Sequence, residues 1–296
     1  NFVIHLMAIA RRIGVALELE EFDGLSAKIP LLANLQPSGE YFMEDLYYSG
    51  GLPAVMKALE KELHGSCITA NGKTQKENFQ DAPCYNSEVI ANTDKPFKNI
   101  TGLAVLKGNL CHNGAVMKPS AASEHLMKHT GKAVVFENIE DYHARIDDPA
   151  LPVDEQSILV LKNVGPIGYP GMPEVGNMAL PKKLLDKGIT DIVRISDGRM
   201  SGTGFGTVIL HISPESAAGG PLALVRDGDL IALDVTKRSL RLLVSDDELA
   251  ERKKNWKPSH PTASRGYVQL YQQHVEQAHL GADLDFLSGG SGSKVT

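Results

Sequence analysis

Two glycine-rich segments carry the residues whose types and spacing suit chemistry. The first, GPIGYPGMPEVGNM (165–178), holds one carboxylate, Glu174, among glycines and prolines that fix the backbone in turns. The second, SDGRMSGTGFG (196–206), holds Ser201 between glycines that let a ligand approach the main chain. A carboxylate oxygen suits a hard divalent cation, and a serine hydroxyl can act in covalent or proton-transfer chemistry. The two segments therefore predict one site.

Residue types alone leave a structural interpretation open. A lone glutamate in a Gly/Pro loop is commonly a solvated turn residue, and a serine among glycines can be a turn or helix-cap hydroxyl. In GRMSG (198–202) an extra residue separates the first glycine from the serine, so the segment is not a GxSxG nucleophile elbow. GTGFG (202–206) lacks the spacing of a dinucleotide fingerprint, and no P-loop lysine follows it. The sequence therefore gives little support to a hydrolase or to a nucleotide-binding protein.

Composition narrows the function classes. With 296 residues, 42% of them hydrophobic, the chain is long enough for two globular domains. The net charge of −6 comes without a basic block, so nucleic acid is not an expected partner. No apolar run reaches the ~20 residues that span a bilayer, and no signal peptide is visible. Three cysteines without CxxC spacing argue against a disulfide framework, so we expect a cytoplasmic protein without a membrane partner.

The elements that must position the two segments change in character along the chain. Up to about residue 91 the pattern is mainly helical, and its first helix is predicted from Val3, Ile4, Met7 and Ile13. Beyond residues 93–97 short β-type runs dominate, among them KAVVFEN, SILVLKNV, DIVRIS and GTVILHIS. We therefore expect an α/β fold: the end of an α/β domain (1–93), a β-rich, barrel-like domain with flanking helices (94–287) and a flexible tail (288–296). A mostly parallel α/β sheet is the alternative.

Taken as whole strings, the segments resemble one family, the IlvD/Edd dehydratases. GPIGYPGMPE, SDGRMSGTGFG and HISPESAAGGPLALVRDGD carry the resemblance. NFVIHLMAIA, NLQPSGEYFMEDLYYSGG and LKGNLCHNGAVMKPSA look like family segments in the right order, so the likeness covers nearly the whole chain except its tail. It implies a swivelling character for the β-rich domain and a hydro-lyase that removes water from a 2,3-dihydroxy acid to give a 2-keto-3-deoxy acid.

The resemblance also implies roles for individual residues. Ser201 matches the family serine that acts as an alkoxide at the C2 proton, and Glu174 matches a Mg²⁺ ligand. Thr203 is a candidate substrate-binding hydroxyl. The implied Lewis acid for the C3 hydroxyl is a [2Fe-2S] cluster, whose ligands we expect upstream of residue 1, because the cysteine contexts here do not match the family's. On this basis the chain alone is expected to be inactive, and the enzyme to be a homo-oligomer, either a dimer or a tetramer.

Two segments favour the sugar-acid branch of the family. The serine is followed by Gly-Thr-Gly-Phe-Gly, where the branched-chain enzymes tend to carry Gly-Thr-Arg, and RGYVQLYQQHVEQAHLGADLDFL resembles pentonate and hexonate dehydratases. We therefore expect an aldonate dehydratase acting on a small sugar acid of the L-arabinonate or D-xylonate type. The alternatives are a dihydroxy-acid dehydratase of branched-chain amino acid synthesis and a non-catalytic β-rich binding module in which Ser201 and Glu174 are turn residues.

Overall fold

The computed structural model describes residues 1–99, 102–200, 204–258 and 262–289. Two compact units make up the chain: Asn1–Gly24 with Leu103–Thr296, here called the barrel unit, and Leu25–Gly102, the small unit. The described helices are α1 (Phe2–Arg12), α2 (Leu19–Ser26), α3 (Met43–Tyr48), α4 (Gly51–Ala58), α5 (Gln75–Phe79), α6 (Ile139–Arg145), α7 (Lys182–Leu185), α8 (Asp246–Asn255) and α9 (Gly266–His274). Within the described ranges, no helix has the length and apolar character needed to cross a membrane.

Eight described strands form a closed, mixed barrel in the order β1-β2-β6-β5-β4-β3-β7-β8. They are β1 (Ala104–Gly108), β2 (Cys111–Met117), β3 (Lys128–Phe136), β4 (Ile158–Leu161), β5 (Arg194–Ser196), β6 (Val208–Ser213), β7 (Leu230–Asp234) and β8 (Ser239–Leu242). Strands β3 to β6 run parallel, whereas β2, β7 and β8 make antiparallel pairs. The predicted barrel-like β-rich fold is thus confirmed, while its swivelling character stays a prediction.

Alternating side chains divide the barrel strands between two apolar cores. Val135, Val160 and Ile195 belong to the larger cluster, to which all eight strands contribute, so it fills the barrel interior. Their neighbours Val134 and Leu159 belong to a second cluster outside the barrel, covered by residues of α6 and α7. Because β4 and the last four residues of β3 are buried on both faces, their sequences, ILVL and AVVF, are continuous apolar runs rather than alternating ones.

Helix α1 packs on the barrel and is tied to its C-terminal segment. Its buried face, with Val3 and Met7, joins a cluster with Val105 of β1. Two arginines at the end of the helix reach acidic residues far along the chain: Arg11 Nη2 lies 2.6 Å from Glu276 Oε1, and Arg12 Nε 2.5 Å from Asp283 Oδ2. Other apolar side chains of this segment are exposed, namely Phe2, Leu6, Ile9 and Ile13.

The small unit is built from helices α3 to α5 and isolated bridges such as Ala33 to Ile90. Its core is a small apolar cluster around Ala54, Val89 and Ile90. Helix α5 starts at a capping box, in which the Thr74 hydroxyl accepts from the Glu77 amide and the Glu77 carboxylate accepts from the Thr74 amide. The expected domain boundary at residues 93–97 stays a prediction.

Candidate active site

The two glycine-rich segments meet at one edge of the barrel. Strands β4, β5 and β6 are parallel neighbours, with Leu161 opposite Ser196 and Ile195 opposite Ile209. Their carboxyl ends therefore lie side by side. The segment here called loop A (165–178) follows β4, and loop B (197–207) follows β5. The sequence-based prediction that these two segments form one region agrees with this topology.

The structure describes one of the three predicted site residues, Glu174. Glu174 lies in loop A, where its Oε1 is 3.0 Å from Nη1 of Arg199 in loop B, and its side chain is 44% exposed. Ser201 and Thr203 lie outside the described residues. Arg199, two positions before Ser201 in sequence, is therefore the described residue that links the predicted carboxylate to loop B.

Arg199 fastens loop B to loop A at three points. Besides pairing with Glu174, its Nε donates to the carbonyl of Met172 at 2.5 Å. Its own carbonyl accepts from the amide of Gly176 at 2.8 Å. Because these partners flank Glu174 on both sides, Arg199 holds that carboxylate at the position where the two loops meet.

A buried carboxylate, Asp197, joins the start of loop B to its neighbours. It is fully buried and accepts from the amides of Val164 at 3.0 Å, Ser216 at 2.8 Å and Asn163 at 3.3 Å. These amides follow β4 and β6, so one side chain joins three strand ends. Burial raises the pKa of Asp197, although the backbone donors act in the opposite direction.

A second buried carboxylate, Glu215, holds the start of loop A. It is 1% exposed and accepts from the amides of Ile167 and Gly168, each at 3.0 Å. Gln277 completes the arrangement: its amide nitrogen donates to Glu215 at 2.7 Å, and its amide oxygen accepts from the Glu215 backbone at 2.8 Å. Burial, with a smaller effect from the Asp197 charge, raises the pKa of Glu215 to about 7.

The far ends of the loops are joined by a buried ion pair. Arg194 donates to the carbonyls of Met178 in loop A and Phe205 in loop B, at 2.9 and 3.2 Å. Its Nη2 lies 3.2 Å from Asp191, which also accepts from the amide and hydroxyl of Thr207. Described contacts thus hold loop B on both sides of Ser201.

A cavity of about 450 Å³ opens beside Arg199 within the barrel unit. Its wall includes Asn1 from the start of α1, Met172 of loop A, His211 of β6 and Tyr271 of α9. His211 is 3% exposed, and burial lowers its pKa to about 3, so the ring is neutral at pH 7. The cavity combines an arginine, a neutral imidazole and an amide with a carboxylate and aliphatic side chains, so its lining is of mixed polar and apolar character.

The described residues fit the implied cofactors unequally. Glu174 offers a hard oxygen suited to Mg²⁺, which typically uses one or two protein carboxylates with water and substrate oxygens, but its pairing with Arg199 must open first. No group of three or more potential metal-ligating side chains occurs among the described ranges. Cys67 and Cys84 are exposed in the small unit, and Cys111 is buried in the barrel core, so these cysteines do not fit an iron–sulfur cluster.

Four site residues were missed by the sequence reasoning: Asp197, Arg199, His211 and Glu215. All lie inside strings that were already singled out, SDGRMSGTGFG and HISPESAAGG, so their segments were found but their roles were not. A pattern of residue types does not indicate which carboxylates are buried against backbone amides. The burial of Asp197 and Glu215 appears only once β4, β5 and β6 are neighbours.

The fold and the site define a β-barrel protein with a cavity beside the loops that follow its parallel strands. Comparison with known families identifies it further. The model described as dihydroxy-acid/6-phosphogluconate dehydratase C-terminal matches residues 88–282, and its N-terminal counterpart matches residues 1–78. The chain belongs to this dehydratase family.

Relatives from several branches align along almost the entire chain. An L-arabinonate dehydratase of Rhizobium leguminosarum bv. trifolii (strain WSM2304) is 54% identical, with 100% of this chain and 51% of the relative covered. A 6-deoxy-6-sulfo-D-gluconate dehydratase of Pseudomonas putida is 50% identical, covering 98% and 51%. A dihydroxy-acid dehydratase of Ignicoccus hospitalis (strain KIN4/I / DSM 18386 / JCM 14125) is 41% identical, covering 97% and 52%. The chain therefore spans about half the length of these curated relatives.

Proposed function

We propose that this protein is a sugar-acid dehydratase that converts an aldonate, of the L-arabinonate or D-xylonate type, to its 2-keto-3-deoxy acid. The proposal rests on the sequence identities between this chain and relatives of different substrate classes. Relatives named for sugar acids are 50% and 54% identical, against 41% for the dihydroxy-acid dehydratase. The cavity beside Arg199 offers amide, imidazole and guanidinium groups that could contact the polar groups of such a substrate.

In the proposed reaction, the C2–H and C3–O bonds of the substrate break, water leaves, and the resulting enol tautomerises to the keto acid. Ser201 takes the C2 proton, and Thr203 hydrogen-bonds the substrate. Arg199 supplies positive charge near the substrate carboxylate. Asp197, Glu215 and Arg194 touch no substrate in this scheme; they hold loops A and B so that the reacting groups keep one geometry.

Glu174 is the proposed Mg²⁺ ligand of this chain. When bound, the ion stabilises the negative charge that develops on the substrate carboxylate and C2 oxygen. We place the ligands of the implied [2Fe-2S] cluster outside this chain, because its cysteines do not fit one, and we assign no step to the cluster here.

Glu174→Gln should lower kcat/KM by about 10–100-fold or more, a loss typical of impaired metal sites, and raise the Mg²⁺ concentration needed for half-maximal rate. Glu155→Gln, an exposed control on the same unit, should change neither.

The substrate assignment is tested by assaying the full-length protein against a panel of aldonates, with detection of 2-keto-3-deoxy products. L-arabinonate or D-xylonate should give the highest kcat/KM. A much higher value for 2,3-dihydroxyisovalerate would contradict the sugar-acid assignment and favour the dihydroxy-acid alternative. Ser201→Ala tests the proton transfer separately: unchanged turnover in this variant would remove the serine from the mechanism.

A further inference from the structure

The segment 275–284 is a closed loop packed on the barrel unit. Its two ends are joined by an antiparallel bridge between Val275 and Leu284. Near its middle, Nδ1 of His279 lies 2.8 Å from the hydroxyl of Ser213 in β6. Acidic side chains of the same segment pair with the two arginines at the end of α1. Contacts with two different elements therefore hold the segment in place on the barrel.

Gln277 lies within this segment and binds Glu215 through both ends of its amide. Its amide nitrogen donates to the Glu215 carboxylate at 2.7 Å, and its amide oxygen accepts from the Glu215 backbone at 2.8 Å. The same carboxylate accepts from the amides of Ile167 and Gly168, each at 3.0 Å. One buried side chain thus links Gln277 to the start of loop A.

The described partners of the Glu215 carboxylate are all N–H groups. They match an ionised carboxylate, which only accepts hydrogen bonds, whereas a protonated one carries an O–H that needs an acceptor of its own. Two titratable groups interact with Glu215, namely Asp197 of loop B and Tyr271 of α9. Burial raises the pKa of Glu215, the charge of Asp197 raises it further, and the hydrogen bonds from loop A and Gln277 lower it.

We propose that Gln277 is a positioning residue for the dehydration: it orients Glu215 and, through Glu215, the start of the loop that carries Glu174. This inference rests on the proposed function and adds to it a residue outside both glycine-rich segments. Ionised Glu215 accepts from both amides of loop A, and protonation weakens these contacts. The position of the Glu174 carboxylate therefore depends on the ionisation of Glu215, which the amide of Gln277 favours.

The first test is the pH dependence of kcat/KM in the full-length protein with Gln277→Met, which nearly keeps the side-chain length and removes both hydrogen bonds. Losing the donor should raise the pKa of Glu215, so the acidic limb of the profile should move about 1 unit to higher pH. At pH 7, kcat/KM for the preferred aldonate should fall about 5-fold, and at pH 9 it should return to within about 2-fold of the wild type. Gln273→Met, at an exposed position on α9, is the matched control and should leave the profile unchanged.

Amide hydrogen exchange tests the same link without turnover. Gln277→Met should lower the protection factors of the Ile167 and Gly168 amides about 10-fold relative to those of β4. In the wild type, these two protection factors should be lower at pH 5.5 than at pH 8, while those of β4 should not fall. This second comparison needs no variant to fold.

An equal loss of kcat/KM at every pH from 6 to 9 would show that Gln277 only supports the fold, and would overturn the proposal. Unchanged protection of the two loop A amides in both comparisons would overturn it as well. If the protection changes as expected in a protein that dehydrates no aldonate, the proposed function is wrong, and the link between Gln277 and loop A stands.

Discussion

At the scale of single residues, Asp197 and Glu215 determine how the site is built. Both are buried carboxylates whose described partners are N–H groups, and each joins segments that follow different barrel strands. Such contacts replace the hydration that a carboxylate loses on burial. The pKa of Glu215 nevertheless remains raised to about 7, which indicates that these hydrogen bonds do not fully offset the cost of burying its charge.

This pKa predicts a specific pH dependence of stability. The pKa of Glu215 is raised from 4.5 to about 7 on folding, so the native state binds a proton more tightly than the unfolded chain does. The resulting stabilisation is fully present below pH 4.5 and is lost as pH rises through 7. It amounts to at most about 3 kcal/mol. Glu215→Gln should therefore show a smaller decrease in thermal unfolding midpoint between pH 5 and pH 8 than the wild type.

Glu155→Gln is the matched control for this measurement, because Glu155 is an exposed carboxyl of the same unit. It should keep the wild-type pH dependence. An equal decrease of the midpoint in the Glu215→Gln variant would show that another group titrates in this range.

Site residues were predictable from sequence to different degrees. Glu174 was singled out from its unusual setting, and the structure places it beside loop B as the paired-loop interpretation requires. His211 was not singled out, because a histidine in the apolar run VILHIS is expected to be an ordinary buried residue. Its positive φ of +56° within strand β6 has no sequence signal.

At the scale of elements, loops A and B are held at both ends and are therefore parts of one assembly. Asp197 and Glu215 act where the loops begin, and the Arg194–Asp191 pair acts where they end. This explains the glycine at position 206. Its φ is +127°, and a Cβ there would overlap the guanidinium of Arg194.

Replacing this glycine should disturb the far ends of both loops together. Gly206→Ala requires both an unfavourable backbone conformation and displacement of Arg194. Gly228→Ala is the matched control, because Gly228 also has positive φ, +83°, but has open space around it. The control should lose about 1 kcal/mol of unfolding free energy, whereas Gly206→Ala should lose several kcal/mol, since overpacking adds about 1–3 kcal/mol to the backbone strain. Equal losses in denaturant unfolding would contradict the packing argument.

Elements were predictable where periodicity was strong and local. Helix α1 was expected from apolar spacing and is present, and the runs containing β3 to β6 were recognised from their apolar character. The segment MALPKKLLDKG (178–188) has helix-forming residues, but its described helix is confined to Lys182–Leu185, because Pro181 precedes it and Gly188 adopts a positive φ. Strand β2 was not predicted, because CHNGAVM does not alternate regularly between apolar and polar residues. Its strand conformation is stabilised by pairing with β1 and β6.

At the scale of the whole molecule, the barrel unit is discontinuous in sequence. Residues 1–24 belong with residues 103–296, and the small unit is inserted between them. Sequence patterns favoured a division near residues 93–97 because helical signals give way to β-type runs there. Composition does not indicate that a first helix packs on strands that begin 100 residues later, since that association depends on side chains such as Val3 and Val105.

The arginines that end α1 should control how firmly this helix stays on the barrel. Arg11 and Arg12 each make two hydrogen bonds to a carboxylate, and both pairs are partly exposed. Replacing both by alanine should lower the free energy for local opening of α1 by about 1–2 kcal/mol. Hydrogen exchange of the α1 amides should then accelerate by about 5–30-fold, whereas β3 to β5 should keep their protection.

Arg226→Ala is the control for this experiment, because Arg226 forms a longer exposed pair, 3.5 Å from Glu248, elsewhere on the barrel unit. It should leave the exchange of α1 unchanged. Uniform acceleration across the barrel strands in the double variant would indicate global rather than local destabilisation.

The long separation between α1 and its acidic partners has a consequence for biosynthesis. Arg11 binds a residue 265 positions further along the chain, so α1 cannot make this contact until those further residues have been translated. At about 5–20 residues per second, this interval lasts roughly 15–50 s on the ribosome. Throughout it, Arg11 and Arg12 lack their acidic partners, and only the apolar face of α1 has its packing partners among residues already made. We therefore expect α1 to be held less firmly on the barrel unit until residues 276–283 have been translated.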